Sequence, residues 1–255
     1  MNEGTKRCAI TGAASGIGRS LAAAYVKRGF EVVGIDRDEG GLVALERELG
    51  ASFSFIRADL EEAGLESLTA RLAEGPPLDV FIHSAGINHV GAFSHTDLSR
   101  QRAVLEINLS APLYLSTHLL RQGLLGRGSS LVFISSLSHF VGYPGASVYA
   151  ASKSGLAAYA RSLSVALAPR GIHVLSVYPG PTRTPHAAKY SPDNSLESRR
   201  MPPDVLAEKI VRAVHTKRAV LVPGMSNKVM ALFGRLAPSV TGRVMRRAIL
   251  DKLPR

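Results

Sequence analysis

A tyrosine and a lysine stand four residues apart in the stretch SVYAASKSG, which is otherwise built almost wholly of small residues. Four residues make about one helical turn, so in a helix Tyr149 and Lys153 leave the same face and can approach one target together. A phenol can donate or accept a proton, and an ammonium group beside it favours the phenolate. The pair predicts proton transfer at one site; the simpler alternative is an exposed pair on a solvated helix face.

A second stretch is suited to binding a phosphate group. The run TGAASGIG, from Thr11 to Gly18, follows an apolar stretch and precedes a segment with helical spacing. Its glycines permit a tight turn and a close backbone approach, and the free N–H groups of the next helix would face a pyrophosphate. Asp36 lies 20 residues after Gly16, where a carboxylate can accept hydrogen bonds from a ribose. Together these features predict dinucleotide binding, whereas Asp36 alone would equally suit a solvated turn.

Seven short apolar runs recur along the chain, and most segments between them have helical spacing and length. The runs are RCAIT, EVVGI, SFSFI, DVFIH, SLVFIS, HVLSVY and AVLVP. Strands that are apolar throughout, rather than alternating, suit a parallel sheet with helices on both faces. The sequence therefore predicts an α/β fold, with a single domain over residues 1–222.

The composition is that of an ordinary globular protein, with 45% apolar and 20% charged residues in a chain of 255. A single cysteine, Cys8, provides neither a disulfide nor a thiolate metal site, and we expect no metal. No apolar run of signal-peptide length precedes the first predicted strand, and none approaches 18 uninterrupted residues. We therefore expect a cytoplasmic protein that does not span a membrane.

The formal net charge of +11 is concentrated in the C-terminal quarter of the chain. From His186 onward the sequence holds 14 Lys/Arg and five Asp/Glu, a balance of +9. Nucleic acid is one partner for such a basic region. The chain has no zinc-finger spacing, no RNP-type aromatic motif and no tryptophan, so we do not expect it to bind nucleic acid.

Several motifs together resemble those of the classical short-chain dehydrogenase/reductase family, over residues 6–222. The glycine-rich run meets the family pattern T-G-x-x-x-G-x-G in full, and the family's Tyr-x-x-x-Lys pair looks like Tyr149 and Lys153. Its catalytic serine resembles Ser136, which lies 13 residues before the tyrosine, and its helix asparagine resembles Asn108. Several motifs in the right order are far more specific than any one of them.

The resemblance implies a doubly wound, Rossmann-type sheet and an NAD(P)-dependent oxidoreductase, which transfers hydride between a nicotinamide cofactor and an alcohol or carbonyl compound. It implies that Tyr149 exchanges the proton and that Ser136 hydrogen-bonds the substrate oxygen. Lys153 would lower the pKa of Tyr149 and hold the nicotinamide ribose. Asn108 would hold a water that leads from Lys153 toward solvent. The predicted catalytic residues are therefore Asn108, Ser136, Tyr149 and Lys153.

The resemblance also implies a set of cofactor contacts. Asp59 in ADL matches an acidic residue at the adenine edge, and Pro179, Gly180 and Thr184 match the family's P-G-x-x-x-T turn. The predicted cofactor-binding residues are Gly12, Ser15, Gly16, Ile17, Gly18, Asp36, Arg37, Asp59, Leu60, Ala85, Gly86, Tyr149, Lys153, Pro179, Gly180, Thr182 and Thr184.

One departure from the family follows the fourth apolar run, where N-N-A-G is replaced by HSAG. Ser84 stands where the family has an amide side chain that braces neighbouring strands, so we expect less local rigidity. His83 is predicted to be a strand-end residue near the cofactor rather than a catalytic base, because Tyr149 already fills the acid/base role.

The choice between the two nicotinamide cofactors depends on two adjacent residues. The carboxylate of Asp36 would repel a 2′-phosphate, and no Lys or Arg interrupts GAASG, so both features favour NAD. Arg37 follows at once and could instead receive that phosphate. We therefore expect NAD, with NADP as the alternative.

The substrate is not named by the sequence. The segment over about residues 183–203 would close the pocket, and it is polar and rich in Ser and Pro. A protein of the same fold that binds the cofactor without turnover, as a sensor or scaffold, is the alternative to an enzyme. The complete set of catalytic residues argues against that alternative.

The basic tail, residues 223–255, predicts two short amphipathic helices. Val229, Leu232, Phe233 and Leu236 form one apolar stripe, and Val240, Val244 and Ala248, with Met245 alongside, form a second. Lys and Arg lie opposite these stripes, as they do in helices at membrane surfaces. Two alternatives remain: the stripes pack on the domain or a neighbouring subunit, or they rest on an anionic bilayer. Either would suit a tail that roofs the pocket of a lipophilic substrate.

The family resemblance implies a homodimer or homotetramer. The helices after Leu98 and Val148 would pack against their symmetry mates, because both are rich in small and apolar residues. The same composition would equally suit an intramolecular core.

Overall fold

The seven apolar runs all form strands of one sheet. A computed structural model of the chain describes residues 5–61, 65–91, 96–191, 194–249 and 251. The strands are β1 (Arg7–Thr11), β2 (Glu31–Asp36), β3 (Phe53–Arg57), β4 (Val80–His83), β5 (Ser130–Ile134), β6 (His173–Val177) and β7 (Val220–Leu221). Each is parallel to its neighbours, in the order β3-β2-β1-β4-β5-β6-β7. The predicted α/β fold is therefore confirmed.

Helices cover both faces of this sheet. They are α1 (Gly16–Val26), α2 (Glu39–Leu49), α3 (Leu65–Ala73), α4 (Leu98–Leu105), α5 (Ala111–Arg121), α6 (Ser138–Val141), α7 (Ser147–Leu167), α8 (Pro185–Tyr190), α9 (Pro203–His215), α10 (Met225–Leu236) and α11 (Pro238–Ala248). Along β1, Cys8 and Ile10 enter the core shared with α1 and α9, whereas Ala9 enters the core shared with α3, α5 and α7. Because both faces are buried, the strands are apolar throughout rather than alternating.

The order of the strands reverses at the centre of the sheet. From β1 the chain runs outward through β2 to β3, then returns to β4 beside β1 and runs the other way to β7. In doubly wound sheets, ligands bind in the crevice outside the carboxyl ends of the strands at this reversal. The topology therefore points to the end of the sheet at which Thr11 and His83 stand.

The long helix α7 carries Tyr149 and Lys153 near its N-terminal end. Its 21 residues bury Leu156, Ala160 and Leu167 at spacings of one and two helical turns, with Ala157 beside them. The helix lies close to a π-helical turn between α4 and α5, because a Cβ atom on Gly155 would lie only 3.1 Å from Leu109 Cδ2. This close packing fixes the part of α7 that carries the predicted catalytic pair.

The two C-terminal helices pack through different residues than the sequence predicts. In α10 the buried residues are Ala231 and Gly234, and in α11 Thr241 is buried. A Cβ atom on Gly234 would lie 2.3 Å from the carbonyl oxygen of Phe140, so glycine allows α10 to lie directly on α6.

The apolar stripes predicted to pack are instead exposed. Val229, Leu232, Phe233, Leu236, Val240 and Val244 all lie at the surface. For these six residues the prediction of packing on the domain is wrong, because small residues on the opposite side of each helix make the contact. Packing on a neighbouring subunit or on a bilayer stays a prediction. Among the residues that the structure describes, no helix is both long enough and apolar enough to cross a bilayer.

Candidate active site

A cavity of about 1190 Å³ opens at the carboxyl ends of the strands. Its walls include the residues that directly follow five of the strands, which are Gly12, Arg37, Ala58, Ser84 and Ser135. All the residues predicted to contact the cofactor line this cavity, and so do Ser136, Tyr149 and Lys153 of the predicted catalytic set. The structure thus brings the motifs together, from distant parts of the chain, at the crevice to which the topology points.

The glycine-rich turn forms one wall of the cavity and leaves no room for side chains at its first and last glycines. Gly12 has φ +72°, and a Cβ atom there would lie 2.8 Å from Ala85 Cα. A Cβ atom on Gly18 would lie 2.0 Å from the carbonyl oxygen of Gly12. Ser15 precedes α1 in an extended conformation, and its side chain does not cap the helix. The N-terminus of α1 therefore faces the cavity with its backbone exposed to a close approach.

Asp36 and Arg37 stand side by side at the end of β2. One carboxylate oxygen of Asp36 accepts from the backbone N–H of Ala14 at 3.1 Å, which ties Asp36 to the glycine-rich turn. Arg37 Nη1 lies 3.6 Å from Asp59 Oδ2 and 3.5 Å from Glu61 Oε1. The guanidinium of Arg37 is thus shared between two carboxylates, and Asp36 is left as the carboxylate nearest the turn.

Tyr149 and Ser136 interact directly at the other end of the cavity. Burial raises the pKa of Tyr149 to about 12, while a side-chain hydrogen bond with Ser136 acts in the opposite direction. Ser136 is held in place because its Oγ accepts from the backbone N–H of Ser138 at 3.1 Å. The phenol and this hydroxyl can therefore contact one substrate oxygen together.

Lys153 is buried and is anchored to the end of β5. Its Nζ donates to the carbonyl oxygen of Ile134 at 2.9 Å and lies 5.9 Å from the centre of the Tyr149 ring. Burial lowers the pKa of Lys153 to about 8. Burial dominates the pKa of both groups, and Ser136 is the side chain that lowers the pKa of Tyr149. That Lys153 also lowers it stays a prediction.

Asn108 lies behind the cavity wall rather than on it. Its Oδ1 accepts from the backbone N–H of Ile87 at 2.9 Å, and its Nδ2 donates to the carbonyl oxygen of Ile87 at 2.9 Å and to Ser152 Oγ at 3.1 Å. The side chain thus joins the segment after β4 to α7 and braces two elements that carry the site. That Asn108 also holds a water stays a prediction.

Gly86 lies where that brace meets the lysine. A Cβ atom on Gly86 would lie 3.1 Å from Asn108 Oδ1 and 3.3 Å from Lys153 Nζ. The glycine therefore allows the segment after β4 to pass closely over both side chains.

His83 is the last residue of β4 and directly precedes Ser84 of the cavity wall, but its own side chain does not line the cavity. Its ring stacks on Phe133 with centroids 4.9 Å apart, and its Nε2 lies 2.9 Å from Ser116 Oγ. Burial lowers the pKa of His83 to about 3, so it stays neutral. His83 therefore ends its strand as predicted, and its ring packs toward Ser116 of α5.

The segment after β4 is braced although Ser84 replaces the family's amide. Thr11 Oγ1 accepts from the backbone N–H groups of Ser84 and Ala85, both at 3.1 Å. The Thr11 hydroxyl and the Asn108 amide therefore both hold this segment. The replacement of the family's amide by Ser84 had predicted a less rigid segment.

The P-G-x-x-x-T turn is held by the C-terminal tail. A Cβ atom on Gly180 would lie 2.4 Å from Asn227 Oδ1 of α10, so this glycine is needed for α10 to approach the turn. Thr184 caps α8, because its Oγ1 accepts from the backbone N–H of Ala187 at 3.1 Å. The substrate segment therefore begins at this turn, and the tail packs against it.

Several residues that line the far end of the cavity have no motif in the sequence. Tyr143 and His186 flank the Tyr149 ring, with centroids 6.2 and 6.4 Å from it, and Tyr190 lies 4.9 Å beyond His186. Burial lowers the pKa of His186 to about 4, so it acts as a neutral aromatic wall. The tail adds lining residues as well: Met245 and Ala248 belong to the second predicted stripe, whereas Asn227, Met230 and Ile249 lie outside both stripes.

Comparison with known proteins gives the same picture. A sequence model described as short chain dehydrogenase matches residues 6–195. A relative from Sinorhizobium fredii, named an uncharacterized short-chain type dehydrogenase/reductase, is 33% identical over 80% of this chain; the chain spans 39% of that protein.

Two solved structures resemble the chain closely. A short-chain dehydrogenase from Streptomyces avermitilis has a TM-score of 0.81 and 29% identity, covering 96% of this chain and 97% of that one. A short-chain dehydrogenase from Sphingobium yanoikuyae, solved in complex with NADPH, has a TM-score of 0.78 and 28% identity, covering 90% and 92%.

Proposed function

This chain belongs to the short-chain dehydrogenase family, and from that membership we propose that it oxidises an alcohol or reduces a carbonyl compound with NAD(P), through Tyr149, Ser136 and Lys153. One observation carries the proposal. The three side chains line the same cavity as the glycine-rich turn, on elements that meet only through the fold. Ser136 is also the neighbour that lowers the pKa of Tyr149, so the two hydroxyls are placed to act on one substrate oxygen.

The residues of the cavity fit a nicotinamide dinucleotide. The glycine-rich turn and the N-terminus of α1 would hold the pyrophosphate, because their backbone can be approached closely and the helix dipole favours negative charge. Asp36 would hold the adenosine ribose, and Lys153 the nicotinamide ribose. The Pro179–Thr184 turn would hold the nicotinamide end. When bound, the nicotinamide gives or accepts the hydride.

The proton is moved by Tyr149. In reduction its hydroxyl donates to the substrate oxygen, and in oxidation the phenolate accepts the proton from the alcohol. Ser136 donates a hydrogen bond to the same oxygen and stabilises the negative charge that develops there. Lys153 contributes a positive charge next to the phenol, and Asn108 positions α7 by joining it to Ile87. Asn108 is thus a positioning residue.

We propose NAD as the preferred cofactor. A 2′-phosphate would meet the carboxylate of Asp36, which is tied to the turn through Ala14 N–H. Arg37 is the cation that could offset this repulsion, and it is already shared between Asp59 and Glu61. The similar structure from Sphingobium yanoikuyae was solved in complex with NADPH, so family membership alone does not decide between the two cofactors. The proposed preference for NAD depends on Asp36 and Arg37 of this chain.

We propose a lipophilic substrate. The far end of the cavity is walled by aromatic rings and by apolar side chains of the tail, with the methionines 230 and 245 among them. Flexible thioether side chains accept apolar ligands of varied shape.

We propose that the protein is cytoplasmic, peripheral at membranes, and a homodimer or homotetramer. Large apolar side chains are exposed on the helices expected at the interface: Leu98 on α4, Tyr114 on α5 and Val165 on α7. Val165→Glu should therefore shift the mass measured by light scattering toward the monomer. A mass unchanged from a wild-type oligomer would exclude this interface.

A cofactor-coupled screen tests the activity. NADH or NADPH consumption would be followed with aldehydes and ketones graded by chain length and polarity, and the reverse reaction with the matching alcohols. We expect turnover that rises with apolar chain length and is faster with NADH. No turnover with any substrate, together with measurable cofactor binding, would instead favour the cofactor-binding protein without enzymatic activity.

A further inference from the structure

The outward side of α10 and α11 is the most apolar exposed surface among the described residues. We call it the outer apolar face, and it consists of Met225, Val229, Leu232, Phe233, Leu236, Val240 and Val244. Half of the large apolar side chains that are exposed in the described structure belong to it, with Leu236 76% and Met225 72% exposed. Clustered exposure of this kind marks an interaction surface rather than ordinary scatter.

The chain itself does not cover this face within its described part. α10 is anchored through its opposite side, where Ala231 and Gly234 lie on α6 and the Arg235 guanidinium sits 4.8 Å from the centre of the Phe140 ring. α11 is anchored through Thr241. Because both helices are held by small residues on their inner sides, their large apolar side chains point away from the protein.

The charge around the outer apolar face selects the partner. From Lys209 to Leu250 the sequence has nine Lys/Arg and no Asp or Glu, and Lys228, Arg243 and Arg247 are exposed on the two helices. Asp251, the next acidic residue, pairs with Arg246 at 3.6 Å. A symmetric contact between two copies would bring like charges together, whereas anionic lipid headgroups would neutralise them.

The same two helices also wall the cavity. Met230 of α10 and Met245 of α11 line its far end from their inner sides, and Ile249 follows at the end of α11. A surface that lies against a bilayer through the outer side of these helices would therefore hold that end of the cavity within about one helix diameter, roughly 10 Å, of the lipid.

We infer that the outer apolar face is a docking surface for an anionic lipid bilayer. The apolar side chains enter the headgroup boundary, and Lys228, Arg243 and Arg247 contact anionic headgroups. Docking of this kind turns the far end of the cavity toward the membrane, where a lipophilic substrate is concentrated. That last consequence rests on the proposed function, whereas the docking itself does not.

Sedimentation with vesicles tests the inference without any turnover. The full-length protein would be mixed with vesicles of phosphatidylcholine, with and without phosphatidylglycerol, at low and high salt. We expect binding to the anionic vesicles at low salt that weakens as salt rises. Leu232→Gln/Leu236→Gln should weaken it by about tenfold or more, since each leucine loses burial in the bilayer. Val220→Gln, an exposed apolar residue on β7, is the matched control and should bind like wild type.

Three results would overturn the inference. The wild-type protein does not sediment with anionic vesicles at low salt; the Leu232→Gln/Leu236→Gln variant binds as well as wild type; or that variant loses only its oligomeric state by light scattering, which would make the face an interface between copies. Loss of enzymatic turnover alone would contradict the proposed function and leave the vesicle result intact.

Discussion

Lys153 Nζ lies 5.9 Å from the centre of the Tyr149 ring and donates its hydrogen bond to the carbonyl oxygen of Ile134, not to the phenol. The two residues are one helical turn apart on α7; Lys153 is buried and Tyr149 is partly buried. Burial disfavours the charged form of each group. It therefore keeps the phenol of Tyr149 protonated and makes the ammonium of Lys153 easier to deprotonate. The nearest group that favours the phenolate is Ser136.

Ser136→Ala should therefore change the pH dependence of the reaction as well as its rate. Loss of the Ser136 hydroxyl should raise the pKa of Tyr149, so the rise of alcohol oxidation with pH should move to higher pH. Loss of the donor to the substrate oxygen should reduce kcat by about 10²–10³. A pH profile of kcat measures both effects. A profile that keeps its wild-type shape would mean that Ser136 does not interact with Tyr149.

Lys153→Met should stabilise the protein while it removes activity. The pKa of Lys153 is about 8 in the folded protein and 10.5 in the unfolded chain. Below pH 8 the lysine is therefore protonated in both states, and the folded protein bears the full cost of burying the charge. That shift corresponds to about 3 kcal/mol, offset by about 1 kcal/mol for the lost hydrogen bond to Ile134.

Urea unfolding at several pH values checks the Lys153→Met prediction. At pH 7 the variant should be more stable by about 2 kcal/mol. Its advantage should shrink as pH rises from 8 toward 10.5, because the folded wild type then loses the proton that the unfolded chain retains. A variant that is less stable than wild type at pH 7 would show that burial of the charged Lys153 does not destabilise the fold.

Asp36→Ala should change cofactor preference. The carboxylate that repels a 2′-phosphate is removed, so the affinity for NADH should fall by about tenfold while that for NADPH should hold or rise. Fluorescence titration with each cofactor gives the two dissociation constants. Equal losses for both cofactors would place Asp36 away from the ribose, with only a structural role through Ala14 N–H.

Two glycines of the tail give a matched pair of stability predictions. Gly234→Ala places a Cβ atom 2.3 Å from the Phe140 carbonyl oxygen, so α10 must shift and stability should fall by about 1–3 kcal/mol. Gly242→Ala in α11 meets nothing within 4 Å and should stabilise the protein by about 0.5–1 kcal/mol. Thermal unfolding of both variants checks the pair, and equal effects would mean that α10 does not lie on α6.

The sheet and the motif residues could be predicted because each follows from a local signal. Seven apolar runs gave seven strands, and residues that end parallel strands must meet at one edge. The tail shows what a local signal misses. Its large apolar residues have helical spacing, but the close approach of Gly234 to Phe140 reverses which side of α10 is buried.

The sequence predicted which residues lie in the site better than it predicted which groups their side chains bind. The sequence places Asn108 and Lys153 in the site, yet it does not show that the Asn108 amide is used by Ile87 or that the Lys153 ammonium is used by Ile134. Both partners are backbone groups, which carry no signal in the residue types. The aromatic wall of Tyr143, His186 and Tyr190 belongs to no motif and emerges only when α8 folds over the cavity.

The most direct test that Tyr149 exchanges the proton with the substrate is Tyr149→Phe, with Tyr143→Phe as the matched control. Tyr149→Phe should lower kcat by about 10²–10⁴ or more, because the proton donor is lost. The dissociation constant for the cofactor should stay within a few-fold of wild type. Tyr143→Phe keeps the ring beside Tyr149 and should retain most of the turnover. Turnover of Tyr149→Phe close to that of wild type would contradict the central claim.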